Sequence, residues 1–250
     1  MLDNPWMATF WIGTSGYSYK EWKGNFYPAG LGEADMLRYF ATRFTSVEIN
    51  YTFYRRPNAR LLQGWAKETP DHFKFTLKAP RRITHDLRLR DAADQAAEFC
   101  ETAGALKSKL GALLFQLPPF LKRDVPRVED FLHQMPPGLR VAFEFRNQSW
   151  FTDEVYECLH RFGVALCVVE HPERPTPLEI TADFGYFRLR NPEYSDEDLA
   201  ATASRIGEAA NRWQEVFVYF KHEAEGRGPG FAAKLRSLLE PTAPAAAAEL

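Results

Sequence analysis

The strongest constraint on the fold is a regular alternation of short apolar runs with longer segments of helical periodicity. Short runs rich in β-branched and aromatic residues predict strands, whereas apolar residues spaced three and four apart predict helices. The predicted strands are Thr9–Gly13, Ser46–Asn50, Phe73–Lys78, Ala112–Gln116, Arg140–Phe145, Val164–Val169, Gly185–Leu189 and Val216–Phe220. The predicted helices are Gly32–Arg43, Asn58–Glu68, Asp91–Leu106, Arg127–Met135, Asp153–Phe162, Asp196–Trp213 and Gly230–Leu239. Strands that alternate with helices in this way match a parallel (β/α)8 barrel of the TIM type.

One crossover departs from the alternation, between the sixth and seventh predicted strands. The segment His171–Pro177 carries prolines at positions 172, 175 and 177, and proline cannot continue a helix. We therefore predict one α/β domain over residues 1–240, a single TIM-like barrel with one helix missing between strands 6 and 7. A doubly wound open sheet is the competing architecture. The tail, residues 241–250, is rich in alanine and proline, which predicts disorder.

Composition excludes several classes of protein. The 31 basic and 33 acidic residues give a net charge of −2, which argues against a surface devoted to nucleic acid. The balance of 45% hydrophobic and 26% charged residues excludes wholesale disorder. The three cysteines form no CxxC pair, and no apolar run approaches the roughly 18 residues of a membrane span. We expect a cytoplasmic protein without a membrane partner, and the sequence leaves its oligomeric state open.

Polar side chains collect at the carboxyl ends of the predicted strands, where barrels of this type place their chemistry. Residues i and i+2 of a strand share a face, so each such pair points to one side of the sheet. The polar residues at these ends are Glu48 and Asn50, Thr76 and Lys78, Gln116, Glu144 and Arg146, Arg188 and Arg190, and Tyr219 with Lys221 and His222. On the inner face of a barrel this set predicts a functional site. The alternative is a group of structural ion pairs that closes the barrel mouth.

Basic and aromatic residues follow the same strand ends. The loop over residues 79–90 contains four arginines, including Arg82, together with His85 and a single aspartate. The planar guanidinium suits carboxylate or phosphate, so this loop favours an anionic ligand, the alternative being a solvated loop paired with acidic neighbours. Tyr54 and Trp150 are candidates either to stack on a sugar ring or base, or to pack in the core.

Several cofactor and catalytic motifs are absent from the sequence. It contains no GxGxxG, GxxxxGK[ST], HExxH or GxSxG pattern, and its six histidines are scattered. We therefore expect no cofactor and assign no metal ligand. A divalent metal ion held by Glu48 and Glu144 is the alternative to acid–base chemistry by the same carboxylates.

Five groups of motifs follow one another along the chain. They are Ile12–Tyr19 with Trp22 and Phe26–Pro28, Val47–Tyr54, Phe73–Pro80 with Ile83–His85, Leu110–Pro119, and Glu144–Arg146 with Ser149–Phe151. Together they resemble the domain of unknown function 72 family over about residues 11–240. The resemblance implies a TIM-like barrel that is distantly similar to endonuclease IV and to sugar-isomerase barrels. It implies no established activity.

The family pattern can be carried over residue by residue. It falls on Glu48, Asn50, Tyr54, Lys78, His85, Gln116, Glu144, Arg146 and Trp150. Two segments depart from it, because Arg188–Asn191 stands where many members have a histidine-glycine pair, and Lys221–Glu223 where many have Asn-Asn-Asp. Both changes make the mouth more basic. The metal ligands of the endonuclease-like relatives have no counterparts here, so the resemblance transfers a fold rather than a reaction.

The leading hypothesis is an enzyme acting on a small anionic substrate, such as a phosphorylated sugar. Glu144 would be the general acid or base with its charge set by Arg146, and Glu48 would be the second carboxylate. Lys78 and Lys221 would stabilise developing negative charge. The expected substrate-binding residues are Asn50, Tyr54, Arg82, His85, Gln116, Arg146, Trp150 and Arg188. The alternatives are a nucleic-acid-binding or repair-related protein and a non-catalytic ligand sensor.

Overall fold

The computed structural model describes residues 8–173, 175–221 and 226–240. In this part of the chain, parallel strands form one eight-stranded sheet in the order β1-β8-β7-β6-β5-β4-β3-β2. The strands are β1 Thr9–Thr14, β2 Ser46–Ile49, β3 Lys74–Lys78, β4 Leu110–Gln116, β5 Val141–Glu144, β6 Ala165–Glu170, β7 Phe184–Leu189 and β8 Glu215–Phe220. The predicted barrel is confirmed, and each predicted strand occurs with its ends moved by no more than two residues.

The first and last strands of this order nearly close the barrel. Ser15 and Glu48 form a parallel bridge between them, and the Gly16 amide donates to the Glu48 carbonyl at 2.8 Å. A Cβ on Gly13 would lie 1.8 Å from the Ser46 carbonyl oxygen, so only glycine permits β1 to approach β2 this closely.

Helices cover the outside of the barrel. They are α1 Met36–Ala41, α2 Tyr51–Tyr54, α3 Ala59–Lys67, α4 Ala93–Ala103, α5 Val125–His133, α6 Asp153–Arg161, α7 Asp196–Ala210 and α8 Arg227–Leu239. Their ends follow local sequence signals. The Asn58 side chain accepts from the Leu61 amide at 2.9 Å at the start of α3, and Ser195 with Asp198 forms a capping box on α7. Gly163 follows the end of α6 with φ of +62°, the left-handed conformation that glycine commonly adopts after a helix.

Some segments differ from a plain strand–helix alternation. The described residues between β6 and β7 contain no helix, as the prolines predict. The predicted helix at Gly32–Arg43 divides into the 3-10 turn Glu33–Asp35 and α1. The predicted helix at Asp91–Leu106 ends early, and a 3-10 segment follows it over Gly104–Lys109. The predicted disordered tail, residues 241–250, lies outside the described residues, as does His222.

The barrel interior is filled by side chains that alternate along each strand with those facing the helices. At its lower end, which is the end where the strands begin, Trp11 stacks on Phe217 with ring centroids 6.5 Å apart, and Phe184 meets Phe217 edge-on. Above them the Tyr219 hydroxyl and Ser46 Oγ form a hydrogen bond of 2.6 Å. The polar residues at the strand ends form the next level, at the mouth.

Two further observations bear on the expectations from composition. All three cysteines, Cys100, Cys158 and Cys167, are buried and free. Among the residues that the structure describes, no helix combines the length and the apolar character needed to cross a membrane.

Candidate active site at the barrel mouth

A buried arginine joins two carboxylates across the barrel mouth. Arg188 lies at the end of β7, and its Nη1 donates to Glu144 Oε2 at 2.5 Å while its Nη2 donates to Glu48 Oε1 at 2.8 Å. The three side chains are at most 1% exposed. Because an isolated charge cannot be buried at this depth, each of the three depends on the others.

Glu48 has a full set of hydrogen-bond donors besides Arg188. Ser15 Oγ donates to its Oε1 and the Tyr186 hydroxyl donates to its Oε2, both at 2.6 Å. Burial alone would raise the pKa of this carboxyl, but the Arg188 charge and these hydrogen bonds outweigh burial and lower the pKa below its ordinary value. Glu48 is therefore an anion fixed in place.

Glu144 on β5 is held in the same way. Gln116 Nε2 donates to its Oε1 at 2.7 Å, and Arg190 Nη1 lies 4.0 Å from the same oxygen. Burial opposes ionisation, yet the charges of Arg188 and Lys78 lower the pKa of Glu144 to about 2. The expectation that Arg146 sets the charge of Glu144 is therefore corrected, because Arg188 makes the direct contact.

Lys78 completes a chain of contacts that starts at Glu144. Its Nζ donates to Gln116 Oε1 at 2.9 Å and lies 4.2 Å from the centre of the Phe53 ring. Burial and the nearby Arg188 charge lower its pKa to about 8, although Glu144 and Glu48 act in the opposite direction. Lys78 therefore exchanges its proton near neutral pH more readily than an ordinary lysine does.

Phe53 contacts both Lys78 and His85. The His85 ring meets Phe53 edge-on with centroids 5.0 Å apart. Its Nδ1 and Thr84 Oγ1 form a hydrogen bond of 2.9 Å. Burial lowers the pKa of His85, and the charges of Lys78, Arg81 and Arg146 lower it further. His85 is therefore within electrostatic reach of basic groups on several sides.

A pocket of about 120 Å³ opens beside Glu144. We call it the Arg190 pocket, and its polar lining comprises Glu144, Arg146, Gln148, His171, Thr176 and Arg190. Glu144 is already paired with Arg188, so the guanidinium groups of Arg146 and Arg190 give this pocket an excess of positive charge. It can receive a small anion.

The structure brings most of the sequence-predicted residues to this mouth and places three of them elsewhere. Tyr54 is 78% exposed at the rim. Arg82 lines a second cavity beside Tyr54. Trp150 is only 1% exposed; it stacks on Phe145 and its indole N–H donates to the Leu121 carbonyl at 2.8 Å, so it packs in the core and does not line the pocket.

Two other predicted residues lie at the edge of the mouth. Asn50 follows β2 directly and is half-buried, and its Nδ2 is a buried donor without an acceptor among the described residues. Lys221 follows β8, where its amide donates to the Leu189 carbonyl at 3.0 Å, and its charge contributes to the lowered pKa of Lys78.

Sequence reasoning missed three residues that hold the site. Tyr186 stands two positions before Arg188 on β7, so strand alternation alone could have placed it on the same inner face. Ser15 follows β1 immediately and reaches Glu48 because β1 and β2 meet there. Phe53 carries no local signal for its role, since that role depends on a tertiary contact with Lys78.

The donor set can be tested for a metal ion. Within the described residues, no group of three or more His, Cys, Asp or Glu side chains has the arrangement of a metal site. Arg188 stands between the two carboxylates and already supplies the positive charge that a cation would bring. The divalent-metal alternative does not fit this arrangement.

The nearly closed parallel sheet, its outer helices and an ion-lined mouth at the strand ends define a TIM-like barrel protein. The family model described as "Protein of unknown function DUF72" matches residues 11–249, and the chain belongs to this family. The chain is 26% identical to UPF0759 protein YunF of Bacillus subtilis, with 92% of this chain and 94% of that protein covered. It is 29% identical to UPF0759 protein YecE of Escherichia coli over 66% of this chain and 62% of that protein.

Solved structures show the same fold. A DUF72 family protein from Thermotoga maritima superposes with a TM-score of 0.84 at 29% identity, covering 93% of this chain and 99% of that one. A DUF72 family protein from Enterococcus faecalis gives a TM-score of 0.78 at 18% identity, covering 94% and 97%. These likenesses establish the fold, as the family model establishes the family, and they carry no statement about a reaction.

Proposed function

We propose that the protein is an enzyme that binds a small anionic substrate at the barrel mouth and moves a proton on it through Lys78. The observation that carries this proposal is the environment of Lys78, which is buried against Phe53. Among the described residues its Nζ donates a side-chain hydrogen bond only to the neutral amide oxygen of Gln116. A lysine with a pKa of about 8 is neutral in roughly a tenth of molecules at pH 7, so it can both accept and return a proton.

The two carboxylates take a supporting role in this proposal. Glu48 and Glu144 keep Arg188 in place, and Gln116 transmits the position of Glu144 to Lys78. With a pKa of about 2, Glu144 is too weak a base to compete with Lys78 near neutral pH. We therefore assign acid–base chemistry to Lys78 and positioning to the carboxylates.

The anion would lie in the Arg190 pocket, where Arg146 and Arg190 face it. Asn50 Nδ2 is a second argument for a ligand, because a buried donor that finds no acceptor in the described residues is satisfied when a substrate oxygen approaches. A preorganised cationic site of this kind also stabilises negative charge that develops on the substrate.

Thermal unfolding with a panel of small anions tests the binding step. The panel would hold sugar phosphates, organic acids and inorganic phosphate, and it would be run on the wild type, Lys78→Met and the matched control Lys74→Met. Lys74 lies on the same strand, at the opposite end of the barrel. A ligand at about 100 times its Kd adds about 2.7 kcal/mol, which raises the Tm by roughly 5–10 °C for a chain of this size. We expect shifts in the wild type and in Lys74→Met and a reduced shift in Lys78→Met.

Deuterium exchange separates an enzyme from a sensor. Anions that bind are incubated with the protein in D₂O, and proton NMR follows the loss of carbon-bound hydrogen. A proton-transferring enzyme exchanges such a hydrogen with solvent, and Lys78→Met abolishes the exchange while Lys74→Met preserves it. Tight binding without exchange or turnover in any anion would replace the enzyme by a ligand sensor.

A nucleic-acid-binding function is the second candidate. It is favoured by the exposed aromatic side chains Tyr51 and Tyr54 after β2 and Phe120 after β4, together with exposed arginines such as Arg82. Several basic residues there are neutralised, as in the Arg81–Asp86 ion pair at 3.2 Å. An oligonucleotide that alone raises the Tm, with an effect that fades between about 50 and 200 mM salt, would support this candidate over the small-anion enzyme.

A further inference from the structure

A second cavity of about 300 Å³ is lined by Phe53, the ring that contacts Lys78. We call it the Arg82 pocket, and its lining includes Phe53, Tyr54, Arg56, Arg81, Arg82 and Gln95. Asp86 also lines it, so three arginines and one carboxylate give the lining a charge of 3 − 1 = +2. Like the Arg190 pocket, it has the electrostatic character of an anion site.

The ion pairs of this pocket leave a basic surface available. Arg56 is paired with Glu98, and Arg81 donates through its Nε to Asp86 Oδ1 at 3.2 Å. Arg82 is exposed and makes no ion pair with any described residue. Arg82 is therefore the strongest candidate in this pocket to take a carboxylate or phosphate oxygen.

A polar atom in the same pocket lacks a partner. Gln95 Oε1 is buried and receives no hydrogen bond from the described part of the chain. An unpaired buried acceptor is unfavourable unless a ligand donor, such as a hydroxyl group, satisfies it. The pocket therefore combines anion-binding arginines, an apolar wall at Phe53 and one acceptor for a ligand hydroxyl.

A chain of side-chain contacts through Lys78 joins the two pockets. Phe53 lines the Arg82 pocket, and the same ring contacts both Lys78 and His85. His85 experiences the charge of Arg81 from the Arg82 pocket and that of Arg146 from the Arg190 pocket. Lys78 in turn donates to Gln116 at 2.9 Å, and Gln116 donates at 2.7 Å to Glu144, which lines the Arg190 pocket. The contacts that lead from one pocket to the other therefore pass through Lys78.

Resting on the proposed function, we infer that the substrate carries two anionic groups. One would bind Arg146 and Arg190, the other would bind Arg82 in the second pocket, and the part between them would lie over Lys78. The ligand class is a small, hydroxyl-bearing dianion, either a dicarboxylate, a bisphosphate or a molecule with one group of each kind. A substrate held at both ends fixes its central atoms against Lys78, as proton transfer requires.

Calorimetric titration with anions of graded length tests this inference. The probes are linear α,ω-dicarboxylates from malonate to suberate, alkane bisphosphates of matching lengths, and the corresponding monoanions. We expect affinity to pass through a maximum at one length, where the dianion binds at least ten times more tightly than its monoanion. The dicarboxylate and bisphosphate arms distinguish the two kinds of anionic group.

Two variants and a control assign each end of the ligand. Arg82→Gln and Arg190→Gln should each reduce the best dianion to the affinity of a monoanion. The control Arg161→Gln, an exposed residue of α6 paired with Glu129, should leave binding unchanged.

The possible failures separate the two proposals. Equal affinities across all lengths, or an Arg82→Gln variant that binds the best dianion like the wild type, would overturn the two-ended substrate and leave the proposed anion site standing. If none of the anions binds, the proposed function fails as well.

Discussion

The two ends of the barrel interior are built on the same strands and serve different purposes, and β7 shows this most directly. Phe184, Tyr186 and Arg188 alternate on its inner face. At the lower end Phe184 packs against Phe217, whereas four residues later Arg188 binds two buried carboxylates. Tyr186 lies between them, with a ring in contact with Phe217 and a hydroxyl bound to Glu48.

The difference lies in what each end contributes to stability. Apolar packing at the lower end stabilises the fold in proportion to the area removed from water. The ion network at the mouth gains little over an apolar replacement of equal volume, because desolvation offsets the attraction between its charges. If the mouth had only to complete the barrel core, we would expect apolar side chains there, as at the lower end. The buried ions of the mouth therefore favour a functional role for this end.

Breaking the ion network should produce the largest effect. Arg188→Met leaves Glu48 and Glu144 buried without their shared cation, and we expect a loss of about 3–5 kcal/mol of unfolding free energy. Urea denaturation measures the change. Arg161→Met at the exposed pair with Glu129 is the matched control and should leave the midpoint unchanged. The triple variant that also carries Glu48→Gln and Glu144→Gln should recover part of the lost stability, and no recovery would contradict charge burial as the cause.

A deletion at the lower end should affect stability alone. Phe184→Ala removes a ring that is 2% exposed and should cost about 3–4 kcal/mol through lost packing and the cavity left behind. The anion-induced rise in Tm should keep its wild-type size, because Phe184 is distant from the mouth along β7. If this variant lost anion binding while remaining folded, the functional separation of the two ends would be wrong.

Lowering the pH should destabilise the ion network of the mouth before it affects the apolar packing at the lower end. Glu144 has a folded pKa of about 2 against an ordinary value of 4.5, so its contribution is complete above about pH 4.5 and is lost as the pH falls through 2. The full difference is on the order of 3 kcal/mol for this buried group. The stability advantage of wild type over Glu144→Gln should therefore shrink over this pH range. A constant difference from pH 5 to pH 2 would contradict it.

The smallest loss of stability is expected at Tyr219, which lies between the two ends of the barrel interior. Its hydroxyl contacts Ser46 Oγ at 2.6 Å and Thr76 Oγ1 at 2.8 Å. Tyr219→Phe should cost about 1 kcal/mol, since Ser46 keeps its bond to the Lys74 carbonyl while Thr76 loses a partner. Anion binding should not change. A loss as large as that of Arg188→Met would place Tyr219 within the ion network.

Strand alternation explains how much of this arrangement the sequence could predict. Glu48, Lys78, Gln116 and Glu144 occur at strand ends with inward parity, and all four meet in the structure. Their pairing was not predictable, because Arg188 joins β2 and β5 across the barrel, and spacing along the chain carries no information about that contact. Proximity along the chain favours Arg146, next to the β5 end, whereas Arg188 makes the contact with Glu144.

The loops were harder to predict than the strands. Trp150 resembles a pocket residue in sequence because it follows β5, yet its indole N–H finds a backbone partner in Leu121 and the ring packs flat on Phe145. Tyr54 and Arg82 follow different strands, and only tertiary structure places them in one cavity apart from Glu144. Side-chain direction in loops depends on such contacts and not on a two-residue period.

The central claim is that burial and the neighbouring Arg188 charge lower the pKa of Lys78 to about 8. NMR of lysine-labelled protein, with Lys78→Arg to assign the signal, would follow the Lys78 side chain from pH 6 to pH 11. We predict a pKa of about 8 in the wild type and a lower value in Glu144→Gln, since Glu144 raises the pKa of Lys78. A wild-type midpoint near the ordinary 10.5, unmoved by Glu144→Gln, would contradict the account.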